Sequence, residues 1–433
     1  MAPKKLAYAV IAVLSAAALL LTGCTSGGQK VAADPRAPVT LTWWTGQAGE
    51  PQAVLQKLAK DFSRLHPNVT IRLSSGAPTT TELLQKLTAA FATTNYPDLS
   101  YTYGSWTGQL AASGRTLDFT DQVKDPSVDW TEFSSTARHA CSPGGKVIGF
   151  PSLVDDLALV YNKKLFDDNH IPYPTANWTW DDFRAAAKKI TNPATQTWGT
   201  AFHVSGGEDT TWRLWPQLWQ LGGKIAEPNG KAAFNSPAGV AALDFWRAMA
   251  VDDKSVFIDQ TDQKAEPLFA SGKMGLFITG PWSLYTFVQA KTPYGVQILP
   301  GYNGDHQTVS GPDVWTAFDH QDPNRAYWTF QLLKWLSSPQ IDPRWTMATG
   351  NLPLRKSERG SAEYKQFVKD FPGVDVMVDN LANDKQARPT DDWYVPLSRA
   401  VGEAIGQVLQ GTVGTKEALN AAARKSDASL AKN

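Results

Sequence analysis

Few side chains of this 433-residue chain are suited to binding a transition metal or to forming a disulfide. The chain has two cysteines, Cys24 and Cys141, and six histidines, with no His-x-x-x-His pair. Zinc sites need several Cys or His ligands at close spacing. We therefore expect no metal and no cofactor, and Cys141 has no partner for a disulfide if Cys24 is modified as argued below.

An excess of charge of one sign is also absent. The chain has 41 Lys and Arg residues against 41 Asp and Glu residues. A balanced chain has no electrostatic attraction for nucleic acid or for anionic lipid. Nucleic acid is therefore not an expected partner.

A single apolar run at the N-terminus, from Leu6 to Leu21, is too short to span a membrane. It has about 16 residues, whereas about 20 are needed for a helix that crosses a bilayer. It follows Lys4 and Lys5 and precedes small residues, which is typical of a secretory signal over residues 1–23.

The segment Leu21-Thr22-Gly23-Cys24 resembles a bacterial lipobox, in which the cysteine is acylated. The alternative is an ordinary signal peptide with an incidental cysteine. We expect an exported protein whose lipidated Cys24 anchors it to the outer face of the cytoplasmic membrane, or in the periplasm if an outer membrane is present. Residues 24–38 are polar, contain Gly and Pro, and predict a flexible linker.

Tryptophan, in contrast, is abundant, with 17 copies. Its side chain presents a large apolar face and one N–H donor. Aromatic faces and a few polar groups in a concave site suit neutral sugars, whose rings have flat C–H faces surrounded by hydroxyls. The alternative is that most of the tryptophans fill the core.

Strand and helix patterns alternate through the first quarter of the chain. They predict strands at Val39–Trp44, Val69–Leu73 and Asp98–Tyr103, and helices at Pro51–His66 and Glu82–Thr93. This order predicts a parallel, doubly wound α/β sheet.

Two later patterns matter for the site. Thr179 and Asp182 predict a capping box at the start of a helix. Residues Thr211–Leu221 predict a single helix, and Trp212 and Trp215 lie on one stripe of it that is a core face as readily as a binding face.

Ligands of α/β folds lie at the carboxyl ends of strands. That rule selects Trp44, Thr45 and Gln47 after the first strand, and Tyr101, Ser105 and Trp106 at the end of the third. Because side chains alternate along a strand, only one of Trp43 and Trp44 is expected to be free of the core.

Short motifs form an ordered series along nearly the whole mature chain. They are Leu41-Thr42-Trp43-Trp44, Tyr96-Pro97-Asp98-Leu99, 145–151, 161–166, 178–183, Phe269 to Trp282, Leu299-Pro300-Gly301 and 349–353. The series resembles that of the family 1 extracellular solute-binding proteins of ABC importers, the family of maltose-binding protein. Each motif is short, but their shared order is specific.

The resemblance implies a periplasmic-binding-protein-like (type II) α/β fold. Two discontinuous lobes are joined by a hinge, with the ligand cleft between them, and they close on the ligand. We expect one lobe from residues 39–152 plus 297–338 and the other from 153–296 plus 339–433. The resemblance also implies a monomer that passes a small-molecule saccharide to the membrane subunits of an ABC permease.

The resemblance also implies ligand contacts beyond the first lobe. Asp155 corresponds to an acidic residue that accepts sugar hydroxyls, and Asp156 follows it; the alternative for both is a hinge salt bridge or a helix-dipole partner. Trp282 corresponds to a tryptophan that stacks on a sugar ring. The remaining candidates in regions of family ligand contact are Trp212, Trp215, Gly311, Asp313, Trp315, Arg388 and Trp393.

Three functions therefore compete. The first is a non-catalytic lipoprotein that captures a saccharide, most simply an oligosaccharide. The second keeps the fold but binds a polyol, glycerol phosphate, a peptide or a polyamine. The third is a secreted glycoside hydrolase using Asp155 and Asp156, but neighbouring strand residues point to opposite faces, whereas hydrolases set two carboxylates across one bond. The aromatic candidates favour the neutral saccharide.

Overall fold

The structure is a computed structural model that describes residues 32–77 and 80–430. The predicted signal, Cys24 and the linker up to residue 31 lie outside the described residues. Within those two ranges, no helix combines the length and the apolar character that crossing a bilayer requires.

The strands of the described ranges form three sheets. They are β1 (Val39–Trp44), β2 (Val69–Ser74), β3 (Leu99–Tyr103), β4 (Gly149–Leu153), β5 (Ala158–Asn162), β6 (Thr200–His203), β7 (Val256–Asp259), β8 (Leu276–Thr279), β9 (Tyr294–Gln297) and β10 (Asp313–Ala317). The first sheet has the order β2-β1-β3-β10-β4, the second has the order β8-β5-β9, and β6 and β7 form the third.

The first sheet matches the prediction only in part. β1 is parallel to β2 and β3, as the alternation of strands and helices predicts. β10 lies between β3 and β4 and is antiparallel to both, so the prediction of a parallel sheet is wrong for these strands. The direction reverses because the chain re-enters this sheet from β9 of the second sheet instead of through a local crossover.

Helices cover the sheets and fill the C-terminal third. They are α1 (Gly49–Leu65), α2 (Thr80–Ala90), α3 (Thr107–Ala112), α4 (Ser135–Ala140), α5 (Lys163–Asp168), α6 (Trp180–Ile190), α7 (Glu208–Thr211), α8 (Trp215–Gln220), α9 (Pro237–Arg247), α10 (Ala265–Ala270), α11 (Trp282–Gln289), α12 (Pro323–Leu336), α13 (Ala362–Asp370), α14 (Val374–Asn380), α15 (Tyr394–Leu409) and α16 (Thr415–Leu430). The predicted capping box starts α6: the Thr179 hydroxyl accepts from the Asp182 N–H, and the Asp182 carboxylate accepts from the Thr179 N–H.

The predicted single helix over Thr211–Leu221 is wrong. α7 ends at Thr211 and α8 begins at Trp215. Pro216 lies in the first turn of α8, where its missing N–H costs no helical hydrogen bond. The break separates Trp212 from Trp215, so the two side chains no longer share one helix face.

Aromatic side chains fill two large cores. Trp43 and Trp315 pack edge to face in the core beside the first sheet, with ring centroids 5.0 Å apart. Trp180, Trp215 and Trp246 are buried in the core beside the second and third sheets. Trp43 is wholly buried, and Trp44 is half-buried and packs against the same core, so the expectation that one of the two is free of the core is met only in part.

Strand membership divides the chain into two regions. The first sheet uses strands from residues 39–153 and 313–317, and the other sheets use strands from 158–297. The lobe limits at residues 152, 296 and 338 stay predictions that are compatible with this division.

Candidate ligand-binding cleft

A cleft of about 660 Å³ lies between the first sheet and the other two sheets. Tyr101 and Tyr103 line it from β3, His203 from the last position of β6, and Trp282 from the first turn of α11. The volume is within the range of roughly 300–1,000 Å³ that is usual for small-molecule sites. The carboxyl ends of parallel strands thus face the cleft from both sides, as expected for α/β folds.

Half of the residues predicted from the sequence line this cleft. They are Gln47, Tyr101, Asp155, Trp212, Trp282, Gly311, Asp313 and Arg388. The other half are Trp44, Thr45, Ser105, Trp106, Asp156, Trp215, Trp315 and Trp393, and they do not line it.

Three of these tryptophans belong to the cores, so their predicted ligand contacts are corrected. Trp106 is buried behind Tyr103, with ring centroids 4.5 Å apart. Trp215 is wholly buried, and its Nε1–H donates to Tyr394 Oη at 2.9 Å. Trp315 is buried against Trp43.

Two further tryptophans are half-buried, pack against the edges of the cores and do not line the cleft. Lys86 Nζ lies 4.4 Å from the ring centroid of Trp44, which covers that face of the indole. The ring of Trp393 lies against Gly230, where a Cβ would come within 2.9 Å of it. Both predicted contacts are therefore replaced by packing elsewhere.

Three predicted polar residues are also buried outside the cleft. The Thr45 hydroxyl donates to Gln52 Oε1, and Ser105 is enclosed in the turn after β3. Asp156 Oδ2 accepts from Asn380 Nδ2 at 2.6 Å, and burial raises the pKa of Asp156 well above its ordinary value. Asp156 therefore has a structural position behind the cleft.

Two indole rings form an aromatic wall on one side of the cleft. The ring centroids of Trp212 and Trp282 are 5.8 Å apart and the planes differ by 26°. The Trp282 ring folds back over Gly280, where a Cβ would lie 1.9 Å from it, so this position requires glycine. Trp282 is half-buried whereas Trp212 is only 6% exposed, so Trp282 presents the accessible ring and Trp212 packs behind it.

A buried ion pair holds the back of this wall. Arg388 Nη1 donates to Glu208 Oε1 at 2.6 Å, and its guanidinium carbon lies 5.1 Å from the ring centroid of Trp212. Glu208 also accepts from Tyr394 Oη at 2.9 Å and from Ser398 Oγ at 2.5 Å. Although burial disfavours its charge, the Glu208 carboxylate raises the pKa of Arg388 above its ordinary value.

Two buried carboxyl groups face this wall. Burial raises the pKa of Asp155 to about 8, against the opposing charge of Arg388. Asp313 accepts a hydrogen bond from the Tyr101 hydroxyl, and burial, with the nearby Asp155, raises its pKa well above the ordinary range. A Cβ on Gly311 would lie 2.2 Å from Asp155 Oδ1, so only glycine leaves room for this carboxyl.

Acidic groups outnumber basic ones in the cleft. Glu50, Asp155, Glu208, Asp209, Asp262, Glu266 and Asp313 line it, with Arg213 and Arg388 as the guanidinium groups. Burial raises the pKa of Asp209 to about 6. Even without Asp155 and Asp313, whose pKa values are raised, five carboxyl groups face two guanidinium groups, so an anionic ligand would meet an unfavourable field.

Four polar atoms of cleft-lining residues are buried and have no hydrogen-bond partner within residues 32–77 and 80–430. They are Asp155 Oδ1, His203 Nε2, Trp212 Nε1 and Arg213 Nε. The two nitrogens of Trp212 and Arg213 are donors, and the carboxyl oxygen is an acceptor. A buried group left without a partner costs about 1–3 kcal/mol, so matching ligand groups would be strongly favoured.

The sequence analysis missed His203, Asp209, Arg213, Asp262 and Glu266, which line the cleft from the second and third sheets. A signal for His203 was present, because it follows a short run of small and apolar residues, Gly199-Thr200-Ala201-Phe202, that is compatible with a strand. The rule that ligands lie at the carboxyl ends of strands selected candidates only from strands of the first sheet. Within the described ranges, no three His, Cys, Asp or Glu side chains are grouped as metal ligands.

Known proteins of similar sequence and structure are binding proteins. A binding protein of Brucella abortus (strain 2308) is 25% identical over 385 residues, covering 87% of this chain and 90% of that protein. The sn-glycerol-3-phosphate-binding periplasmic protein UgpB of Agrobacterium fabrum is 23% identical, covering 91% and 93%. The cyclic alpha-maltosyl-1,6-maltose binding protein of Arthrobacter globiformis superposes with a TM-score of 0.75 at 25% identity, covering 92% and 100%.

The type II periplasmic-binding fold expected from the motifs is therefore confirmed. The sequence model of a family described as bacterial extracellular solute-binding protein matches residues 57–373. That match covers well over half of the chain and includes most of the residues that line the cleft. With its paired lobes and enclosed cleft, the protein belongs to the bacterial extracellular solute-binding protein family.

Proposed function

We propose that this protein captures a neutral saccharide, most simply an oligosaccharide, and delivers it to an ABC import permease. In this proposal it acts as a monomer, anchored outside the cytoplasmic membrane through lipidated Cys24. Ligand favours the closed arrangement of the lobes, and the permease responds to closure.

The observation that carries the saccharide assignment is the combination of the aromatic wall with unpartnered donors and acceptors. The half-buried Trp282 ring, which stacks on Trp212, offers an aromatic face that suits the C–H face of a sugar. Trp212 Nε1 and Arg213 Nε need acceptors, whereas Asp155 Oδ1 needs a donor when ionised. Hydroxyl groups supply both.

A phosphate compound is the second candidate, because UgpB of Agrobacterium fabrum is named for binding sn-glycerol-3-phosphate. The charges of this cleft argue against it. Arg388 is already paired with Glu208, and Arg213 Nη1 donates to the Ile278 carbonyl at 2.6 Å. A phosphate could still accept from the unpartnered Arg213 Nε–H, but it would lie among seven carboxyl groups of the cleft.

The glycoside hydrolase alternative requires Asp155 and Asp156 to lie on either side of one glycosidic bond. Asp156 bonds to Asn380 behind the cleft, so Asp155 and Asp156 cannot flank one glycosidic bond. The family consists of binding proteins, which agrees with a ligand that is released unaltered.

Thermal unfolding of the chain lacking residues 1–24 tests the proposal. The panel contains maltose, maltotriose, cellobiose, trehalose, sucrose and raffinose, with glycerol 3-phosphate, sorbitol, spermidine and a tripeptide as comparisons. A ligand at 100 times its Kd adds about 2.7 kcal/mol to the free energy of unfolding. Stabilisation by one saccharide, recovered intact by chromatography, supports the proposal, and stabilisation only by glycerol 3-phosphate, sorbitol, spermidine or the peptide overturns it.

A further inference from the structure

One group of polar side chains in the cleft is separate from the aromatic wall. His203 ends β6, Asp262 follows β7, and Asp209 and Arg213 lie in and just after α7. The group therefore collects at the carboxyl ends of the two parallel strands of the third sheet. It also reaches the first sheet, because the Tyr103 hydroxyl lies 3.4 Å from Asp209 Oδ1.

The environment of His203 fixes which ring nitrogen accepts. His203 Nδ1 lies 2.8 Å from Asp262 Oδ1, and a carboxylate there requires the proton on Nδ1. Nε2 then carries a lone pair and has no partner within the described ranges. Burial, followed by the charge of Arg213, lowers the pKa of His203, which keeps the ring neutral at pH 7.

Arg213 supplies the complementary donor. Its side chain is more than nine-tenths buried, and Nη1 is fixed by the Ile278 carbonyl. Its Nε–H has no partner in residues 32–77 and 80–430. Burial lowers the pKa of Arg213, and the charges of Asp209 and Asp262 oppose that shift.

We propose that His203, Asp209, Arg213 and Asp262 form a polar subsite that binds hydroxyl groups at one end of the ligand. His203 Nε2 accepts from one hydroxyl, and Arg213 Nε–H donates to another. This inference rests on the proposed saccharide function and adds a selectivity to it. A saccharide that lacks a free hydroxyl at this end leaves a buried group unpaired, which is a severe penalty.

The chemistry of the subsite also separates ligand classes. A fully ionised phosphate cannot donate to His203 Nε2, and an ammonium group cannot accept from Arg213 Nε. A hydroxyl can do either. The subsite therefore favours a neutral ligand end with several free hydroxyls.

Calorimetry with deoxy sugars tests the subsite. The parent probe is the saccharide of the panel above that most stabilises the wild-type chain, and each of its monodeoxy derivatives is measured beside it. For wild type, we expect at least one derivative to bind about tenfold more weakly than the parent. In His203→Ala that derivative and the parent should bind equally, because the partner of the missing hydroxyl is gone.

Two variants control for folding and for histidine loss in general. His306 does not line the cleft, and its Nδ1 bonds to the Leu299 carbonyl, so His306→Ala should keep the wild-type pattern. His203→Phe, which keeps an aromatic ring beside Phe277 but has no acceptor, repeats the measurement if His203→Ala does not fold, as judged by its melting temperature. If the variant still discriminates the deoxy derivative tenfold, the subsite is overturned while saccharide capture stands; if no saccharide binds wild type, both proposals fall.

Discussion

Arg388 and Glu208 form a buried ion pair at the back of the cleft, and their side chains are only 7% and 8% exposed. Glu208 collects hydrogen bonds from Arg388, Tyr394 and Ser398, and Arg388 in turn lies over Trp212. The Arg388–Glu208 ion pair thus holds the Trp212 ring in place, and it can do so without contacting the ligand.

Glu208→Gln should strongly destabilise the protein, because it leaves the Arg388 guanidinium buried without its carboxylate. Removing one partner of a buried ion pair costs about 3–5 kcal/mol. Urea unfolding measures this loss. Glu403→Gln is the matched control, because the Glu403–Lys425 pair is about half exposed and should contribute no more than about 1 kcal/mol. Equal losses in the two variants would contradict the role of the buried pair.

Trp282→Ala should remove the outer half of the aromatic wall and weaken saccharide binding. A central aromatic contact contributes about 2 kcal/mol or more, which corresponds to roughly 30-fold in Kd. Calorimetric titration with the saccharide identified in the panel checks this. Trp335→Ala, a half-buried tryptophan of α12 that packs on Phe62, should leave Kd unchanged. Undiminished affinity in Trp282→Ala would remove the aromatic wall from the proposal.

Gly311→Ala should disturb the cleft although it adds only a methyl group. The added Cβ would lie 2.2 Å from Asp155 Oδ1 and 3.1 Å from the Trp212 ring, so both side chains must move. Overpacking of this kind costs about 1–3 kcal/mol. Gly360→Ala is the control, because no atom lies within 4 Å of the position that its added Cβ would take. Melting temperatures that fall equally would show that the close contact is not responsible.

The free energy of unfolding should decrease as the pH rises, and Asp155 should contribute to this decrease. Burial raises the pKa of Asp155 to about 8, so the folded protein retains a proton that the unfolded chain loses near pH 4. The free energy of unfolding therefore falls between about pH 4 and 8, by up to about 1.4 kcal/mol per pH unit for this group. Asp155→Asn removes the titration and should flatten the profile measured by urea unfolding.

Asp253 should affect the pH dependence of stability in the opposite sense to Asp155, so Asp253→Asn serves as the comparison. The Arg184 side chain holds the pKa of Asp253 below its ordinary value, so its contribution is present above pH 4 and is lost in acid. The variant should be less stable than wild type throughout pH 5–8, with no change in slope there. Parallel profiles for wild type and Asp155→Asn would show that Asp155 is ionised in the folded protein.

Cys24→Ala should release the protein from the membrane if the lipobox is used. In a lipobox the cysteine thiol is the group that carries the lipid, and residues 25–38 contain no other cysteine. Fractionation of the producing cells should find the wild type in the membrane fraction, and the variant in the medium or unprocessed. Wild-type protein recovered entirely as a secreted species would favour the ordinary signal peptide.

Local patterns predicted the fold well where a motif determines the structure. The strand Val39–Trp44 has the predicted bounds, and the capping box of Thr179 and Asp182 starts α6. The antiparallel insertion of β10 had no local signal, because it depends on which sheet the chain returns to after β9. The break between Thr211 and Trp215 was not predicted, because the helical spacing of the tryptophans indicated one continuous helix. Pro216, which lies in the first turn of α8, was the signal for a new helix start.

Candidate site residues were predicted less well, for a physical reason. Trp106 and Trp282 both follow a strand, yet one is buried behind Tyr103 and the other faces the cleft. Sequence gives the residue type and the end of the strand, but burial depends on which distant side chains cover each ring. Gly280 was a usable clue, because it leaves the space that the Trp282 ring occupies.

The antiparallel β10 has a consequence for the order of assembly during export. Trp315 pairs with Tyr101, so β3 gains this neighbour only after more than 200 further residues have been delivered. A chain that crosses the membrane from its N-terminus therefore exposes β3 and β4 before the strand that joins them is present, and contacts so distant in sequence form slowly. The second and third sheets, whose strands all lie within residues 158–297, can assemble earlier. The topology thus delays completion of the first sheet until translocation has passed residue 317.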